Sequence, residues 1–79
     1  MDPDIAWQQM LVAYAEADTE RAFESAQTLL GWLRSGGFPP TISVWCGEKA
    51  IELIQSQSRR TIATAVAHEI YWATKQLSE

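Results

Sequence analysis

The six residues Ser35-Gly36-Gly37-Phe38-Pro39-Pro40 constrain this chain more than any other stretch. A glycine just past a helical run can take the left-handed conformation that closes a helix, and the two prolines forbid continuation. No helix passes through this point, which makes it the firmest boundary in the chain. The position of Phe38 predicts that its ring folds back on the last helical turn. Left exposed on so rigid a turn, the same ring would be a docking knob for a partner.

Upstream of the stop lie two helical segments. Asp2-Pro3 opens the first, over about 4–17, with a capping oxygen followed by proline at an early helical position. Trp7, Met10, Leu11 and Tyr14 follow the i, i+3, i+4, i+7 spacing of one face. Asp18-Thr19-Glu20 breaks the rhythm and caps a second helix over about 19–35. Its apolar residues Ala22, Phe23, Ala26, Leu29, Leu30 and Leu33 form a stripe about 120° wide. The spacing Trp7-x-x-Met10-Leu11-x-x-Tyr14 resembles the opening helix of a tetratricopeptide repeat. That resemblance covers about a fifth of the chain and implies a helical hairpin. Leu11 stands where the family has a small residue, and the pattern does not recur downstream, so no peptide-binding residues carry over.

Downstream, Thr41 to Trp45 alternates like a strand but shows no evident second strand to pair with, and a lone strand is unstable. The stretch reads as an extended lead into a third helix over about 44–56, carrying Ala50, Ile51, Leu53 and Ile54. Polar Gln55 to Ser58 then separates it from a fourth helix over 59–77, with Ile62, Val66, Ile70, Ala73 and Leu77 turned inward. Ala63, Ala65 and Ala67 keep the flanks of that helix thin enough for a neighbour to approach closely. Ile51, Ile54, Ser58, Ile62, Val66, Ile70, Ala73 and Leu77 also form a nearly unbroken seam. The alternative to the break is one helix from Gly47 to Leu77. The expected fold is all-α, a single domain over 1–79 built as a compact antiparallel bundle of three or four helices.

Charge narrows the function. The net charge is −4, and residues 1–20 hold five acids and no Lys or Arg. Those acids sit where they favour helix N-termini. An acidic chain without a basic stripe repels a phosphate backbone, so no nucleic-acid partner is expected. Arg59-Arg60, at a helix start, is too short for a basic patch and would pair with the acidic first helix or an acidic partner. No membrane partner is expected either, because no run free of charged residues approaches the ~20 residues of a span. The acidic start does not read as a signal peptide, and the one cysteine, Cys46, permits no internal disulfide. A cytoplasmic location is the expectation.

Candidate chemistry is thin. Ala67-His68-Glu69-Ile70-Tyr71-Trp72 opens like the helical zinc signature H-E-x-x-H, in which two His at i and i+4 face one metal. Here Trp72 occupies the second His position, and His68 is the only histidine. One nitrogen ligand does not hold a catalytic zinc. Cys46 and His68 lack an evident orienting Asn or Asp for a nucleophilic pair. Gly36-Gly37 lacks the Lys-Ser/Thr of a phosphate loop, and Glu48 with Glu52 reads as a solvated face. No enzyme, metal or cofactor is expected.

What stands out is surplus apolar surface. The chain is 47% hydrophobic with four Trp, yet a domain this short buries only about 60–65% of its unfolded surface. Ile5 and Val12 make a second ridge on the far side of the first helix. Trp32 lies about 120° from the centre of its stripe, and Tyr71 and Trp72 about 130° from theirs. With Phe38, these are the candidate partner-binding residues, since large aromatics dominate binding hot spots. The expected function is a non-catalytic protein-interaction module or small accessory subunit, self-associating as a homodimer or docked on a protein partner. The alternative is a small-molecule binder with a Trp- and Tyr-lined pocket between helices.

Overall fold

The computed structural model describes residues 1–78. Helix α1 spans Pro3–Ala15 and helix α2 Thr19–Arg34. Asp2 caps α1: its Oδ1 accepts from the Asp4 N–H at 2.9 Å and the Ile5 N–H at 3.4 Å. Asp18 caps α2 in the same way, accepting from the Arg21 N–H at 3.3 Å. These carboxylates satisfy helix donors that would otherwise have no partner.

Both helices close with one motif. At the end of α2, Gly36 is left-handed (φ 89°), with Gly37 N–H donating to Trp32 C=O at 2.9 Å and Gly36 N–H to Leu33 C=O at 3.2 Å. At the end of α1, the left-handed residue is Ala17 (φ 59°). Asp18 N–H donates to Ala13 C=O at 2.8 Å and Ala17 N–H to Tyr14 C=O at 3.2 Å. This is the Schellman pairing in each case, made once with glycine and once with a residue that resists the conformation.

Past Pro39 and Pro40, both buried, the chain forms a hairpin instead of the third helix predicted over 44–56. Strand β1, Ser43–Cys46, runs antiparallel to β2, Lys49–Glu52, with Ser43 opposite Glu52, Val44 opposite Ile51, Trp45 opposite Ala50 and Cys46 opposite Lys49. The two-residue loop Gly47-Glu48 explains the reversal. Gly47 has φ 63° at the first central position, the pattern of a type II′ turn, whose twist matches that of the strands. The second strand missing from the sequence reading is thus residues 49–52. Helix α3 follows over Ser56–Ser78. Its first turn takes in the polar residues 56–58 predicted as a break, with Arg59 N–H donating to Gln55 C=O at 3.1 Å. The helix predicted over 59–77 is therefore present and begins three residues earlier, while β2 rules out a continuous helix from Gly47. The fold is helix-dominated with a two-stranded sheet, not all-α.

Helix α2 is the middle of the assembly. It packs against α1 on one flank and α3 on the other, while α1 and α3 barely meet. The result is a row of helices, 37 × 32 × 18 Å. Arg60 near the start of α3 reaches the end of α2, and Phe23 near the start of α2 stacks on Tyr71 late in α3, so these two helices run antiparallel.

Burial follows from that row. In α2 the buried residues are Ala22, Ala26, Leu29, Leu30 and Leu33, the stripe read from the sequence apart from Phe23, which is half-buried. In α1 the buried set is Ala6, Met10 and Ala13, with Trp7 packed alongside. Leu11 and Tyr14, expected inward, are exposed. In α3 the fully buried residues are Ala63, Ala67, Ile70 and Thr74, about one residue round from the expected seam; Ile62 and Val66 of that seam pack half-buried against the core, and Leu77 is 74% exposed. The reason is size. Alanines on facing helices allow close approach, and Thr74 is buried without cost in hydrogen bonding because its Oγ1 donates to Ile70 C=O at 2.6 Å. Alanine also limits the reward. Burying one methyl is worth about 0.8 kcal/mol, against about 1.5–3 for Leu or Met, and Ala supplies six of the core positions Ala6, Ala13, Ala22, Ala26, Ala63 and Ala67.

Candidate functional site

Three places in the fold gather side chains outside the fully buried core, although Trp32 and Tyr71 pack against its edge. The hairpin is the most prominent, for every residue of both strands is exposed. Only its base is anchored. Ile42 is buried, Leu53 packs against the core, and Thr41 N–H donates to Asp4 Oδ1 at 2.6 Å. The Leu53 N–H donates to Ile42 C=O at 2.9 Å, which makes that pair hydrogen-bonded. Alternation along an antiparallel ladder then makes Val44–Ile51 and Cys46–Lys49 hydrogen-bonded pairs as well. Ser43 and Trp45 on β1, with Ala50 and Glu52 on β2, therefore turn their backbone N–H and C=O groups outward. The sheet has two strands among the described residues, so both edges are open.

The two edges differ in chemistry. β1 carries no charge, while β2 carries Lys49 and Glu52. On one face Val44 lies beside Ile51, and on the other Trp45 beside Ala50. Trp45 is 69% exposed and Ile51 57%. A two-stranded hairpin is at best marginally stable in water without a third strand or a helix beneath it.

The second place is the α2–β1 connection. Phe38 does not fold back on α2; it is 79% exposed. Trp32 braces the turn instead. Its Nε1–H donates to Phe38 C=O at 2.7 Å, and its ring lies so close over Gly37 that a Cβ there would sit 2.2 Å from it. Trp32 is accordingly half-buried, off the α2 stripe and folded against its own helix end. Arg60 completes the cap, donating from its two terminal nitrogens to Leu33 C=O and Gly37 C=O, each at 2.7 Å. This basic residue at the start of α3 thus serves the negative end of α2 rather than the acids of α1.

The third place is the seam between α2 and the second half of α3. Tyr71 stacks on Phe23, with centroids 5.1 Å apart and rings at 23°, and meets Trp72 edge-on at 5.7 Å. The Trp72 Nε1–H donates to His68 Nε2 at 2.8 Å. The residue standing where a zinc signature has its second His therefore occupies the lone pair of the first. The Lys75 ammonium lies 5.0 Å from the Trp72 ring centre and 5.7 Å from that of Tyr71. Between these residues and Gln27, Gly31 and Arg34 of α2 runs an open groove of ≈ 420 Å³.

Of the residues singled out from the sequence, Tyr71 and Trp72 are brought together. Ile5 and Val12 are exposed on α1, on the far flank of α2, and Phe38 and Trp32 belong to the turn. They do not form one patch. Val44, Trp45 and Ile51 were not among them, and the signal that marks them is Gly47-Glu48 between two four-residue runs. Cys46, exposed at the end of β1, ends a strand. Among the described residues no three His, Cys, Asp or Glu side chains converge as a metal set, and no helix is long and apolar enough to cross a membrane. Comparisons with family models, curated proteins and solved structures give no match to this chain.

Proposed function

We propose that this chain is a non-catalytic protein-interaction module that binds protein through its hairpin. The observation that carries the reading is that every residue of both strands is exposed, Val44, Trp45 and Ile51 among them, with backbone groups open along each edge. Strand addition at such an edge supplies main-chain hydrogen bonds, and alternating side chains supply specificity. Phe38, Ile5, Val12 and the Tyr71–Trp72 pair are further apolar surface that a larger partner would cover. The test is a photo-crosslinking amino acid at position 45 in the native host, with position 20 on α2 as the control. Protein adducts at 45 and not at 20 support the reading. No adduct at 45 above the control overturns it.

A second reading rests on the α2–α3 groove, whose Tyr71, Trp72, Arg34 and Lys75 would suit a small planar anion. Quenching of Trp72 fluorescence by aromatic carboxylates, lost in Trp72→Leu, supports it. Unchanged emission up to millimolar ligand counts against it.

A further inference from the structure

We infer that the occupant of the β1 edge is a second copy of this chain, paired antiparallel about Val44 into a four-stranded sheet. This rests on the hairpin being an interaction surface and names its partner.

A two-fold axis relating two antiparallel strands in one sheet must stand normal to that sheet, so each residue faces one of the same parity. Three such registers are open to β1. Centred on Trp45, the pairing brings Ser43 opposite Gly47, which is committed to the turn. Centred on Ser43, it brings Trp45 opposite Thr41, whose N–H is already held by Asp4 Oδ1. Centred on Val44, Ser43 of each copy faces Trp45 of the other. That register alone pairs both outward-facing residues of β1 with each other, giving four new hydrogen bonds from two hydrogen-bonded pairs.

Side chains agree with it. Val44 lies opposite Ile51 within the hairpin, so the dimer aligns Ile51, Val44, Val44 and Ile51 in one aliphatic row across four strands. No charged residue of β1 meets another at the seam. The charges Lys49 and Glu52 fall on β2, now the outer edge, and charged edge strands resist further addition. The assembly therefore closes as a dimer and does not extend into a fibre.

Disulfide mapping decides it. In a Cys46→Ser background, cysteine is placed singly at Val44, Trp45, Ile51 and, as a control on α1, Gln8. In the proposed register the two residues 44 form a non-hydrogen-bonded pair with Cα atoms about 4.5 Å apart, within disulfide reach. Mild oxidation should give covalent dimer from Val44→Cys at least tenfold faster than from the other three. Equal rates at 44 and 45, or none above Gln8→Cys, overturn the register and the dimer respectively. As a second measure, Ser43→Pro removes an outward N–H without touching the hairpin's own ladder. Sedimentation equilibrium should show the dimer lost while helicity is kept; an undiminished dimer rejects the β1 seam. If position 45 captures a foreign protein in cells while Val44→Cys gives no dimer, the interaction reading stands and this partner falls.

Discussion

The helical row and the hairpin solve the same problem in opposite ways. All four ends of α1 and α2 are closed: Asp2 and Asp18 cap the N-termini, and two Schellman turns, Trp32 and Arg60 close the C-termini. The hairpin has one closed end, the turn at Gly47, and two open edges. Local satisfaction makes a scaffold, and its absence makes a surface for association. The contrast also shows in the side chains, since alanines buried at 0% hold α2 to its neighbours while Trp45 stands in water.

Breaking the row should cost far more than altering the hairpin. Leu29 is fully buried on the middle helix. Leu29→Ala should lose about 2–5 kcal/mol, the range for cavities in cores that relax poorly. In a domain of total stability about 5–15 kcal/mol that shift is large, and urea unfolding followed by far-UV circular dichroism measures it. Next in size is Gly37→Ala. A Cβ 2.2 Å from the Trp32 ring forces the indole off the turn and breaks its bond to Phe38 C=O. The expected loss is about 1–3 kcal/mol, with a red shift of Trp emission as Trp32 meets water. An unshifted spectrum would show that the indole does not brace the turn.

Much of the row was legible in the sequence, because its information is local. Asp2-Pro3, Asp18 and Ser35-Gly36-Gly37 mark ends by their own chemistry, and the α2 stripe reads directly as the buried face. The inward faces of α1 and α3 were legible in part: Met10 and Ile70 are buried, and Trp7, Ile62 and Val66 pack against the core. The alanines escaped where size, not polarity, decides. Alanine scores weakly as an apolar residue, yet Ala6, Ala13, Ala63 and Ala67 are what let helices touch. The hairpin was hidden because Lys49, Ala50 and Glu52 favour helix in isolation, and a four-residue strand is too short for its alternation to outweigh them. Trp32 and Arg60 were hidden for another reason. Their roles depend on which carbonyls the fold brings within reach, at sequence separations of 6, 27 and 23 residues. The same holds for the edge of β1, whose open groups follow from a register that no single residue announces.

The two Schellman turns offer a finer test within the row itself. Ala17 holds the left-handed conformation that Gly36 holds at the other helix end, at a cost of roughly 1–2 kcal/mol for a residue with a Cβ. Ala17→Gly should recover part of it, a gain of about 0.5–1 kcal/mol after the extra flexibility of glycine in the unfolded chain is subtracted. A rise in the denaturation midpoint with unchanged slope is the expected result. A fall would mean that the Ala17 methyl makes contacts worth more than the strain.

The smallest effect on stability should come from the most conspicuous side chain. Trp45 is 69% exposed and leans on no part of the row, so Trp45→Ser should shift the unfolding free energy of the dilute protein by less than about 0.5 kcal/mol. Its backbone neighbours tell the two regions apart more sharply. Val44, Cys46, Lys49 and Ile51 hold the ladder of an isolated hairpin, and their amides should exchange by local opening, orders of magnitude faster than those of Ala26 or Leu29. Association would slow them. Because the new bonds would be made by Ser43 and Trp45, the amides of those two residues should gain protection as concentration rises, in proportion to dimer formed. Helix amides at the global limit report only the stability of the whole. Protection at 43 and 45 that ignores concentration would place the cover of that edge within one chain, and the difference between scaffold and surface would be one of degree.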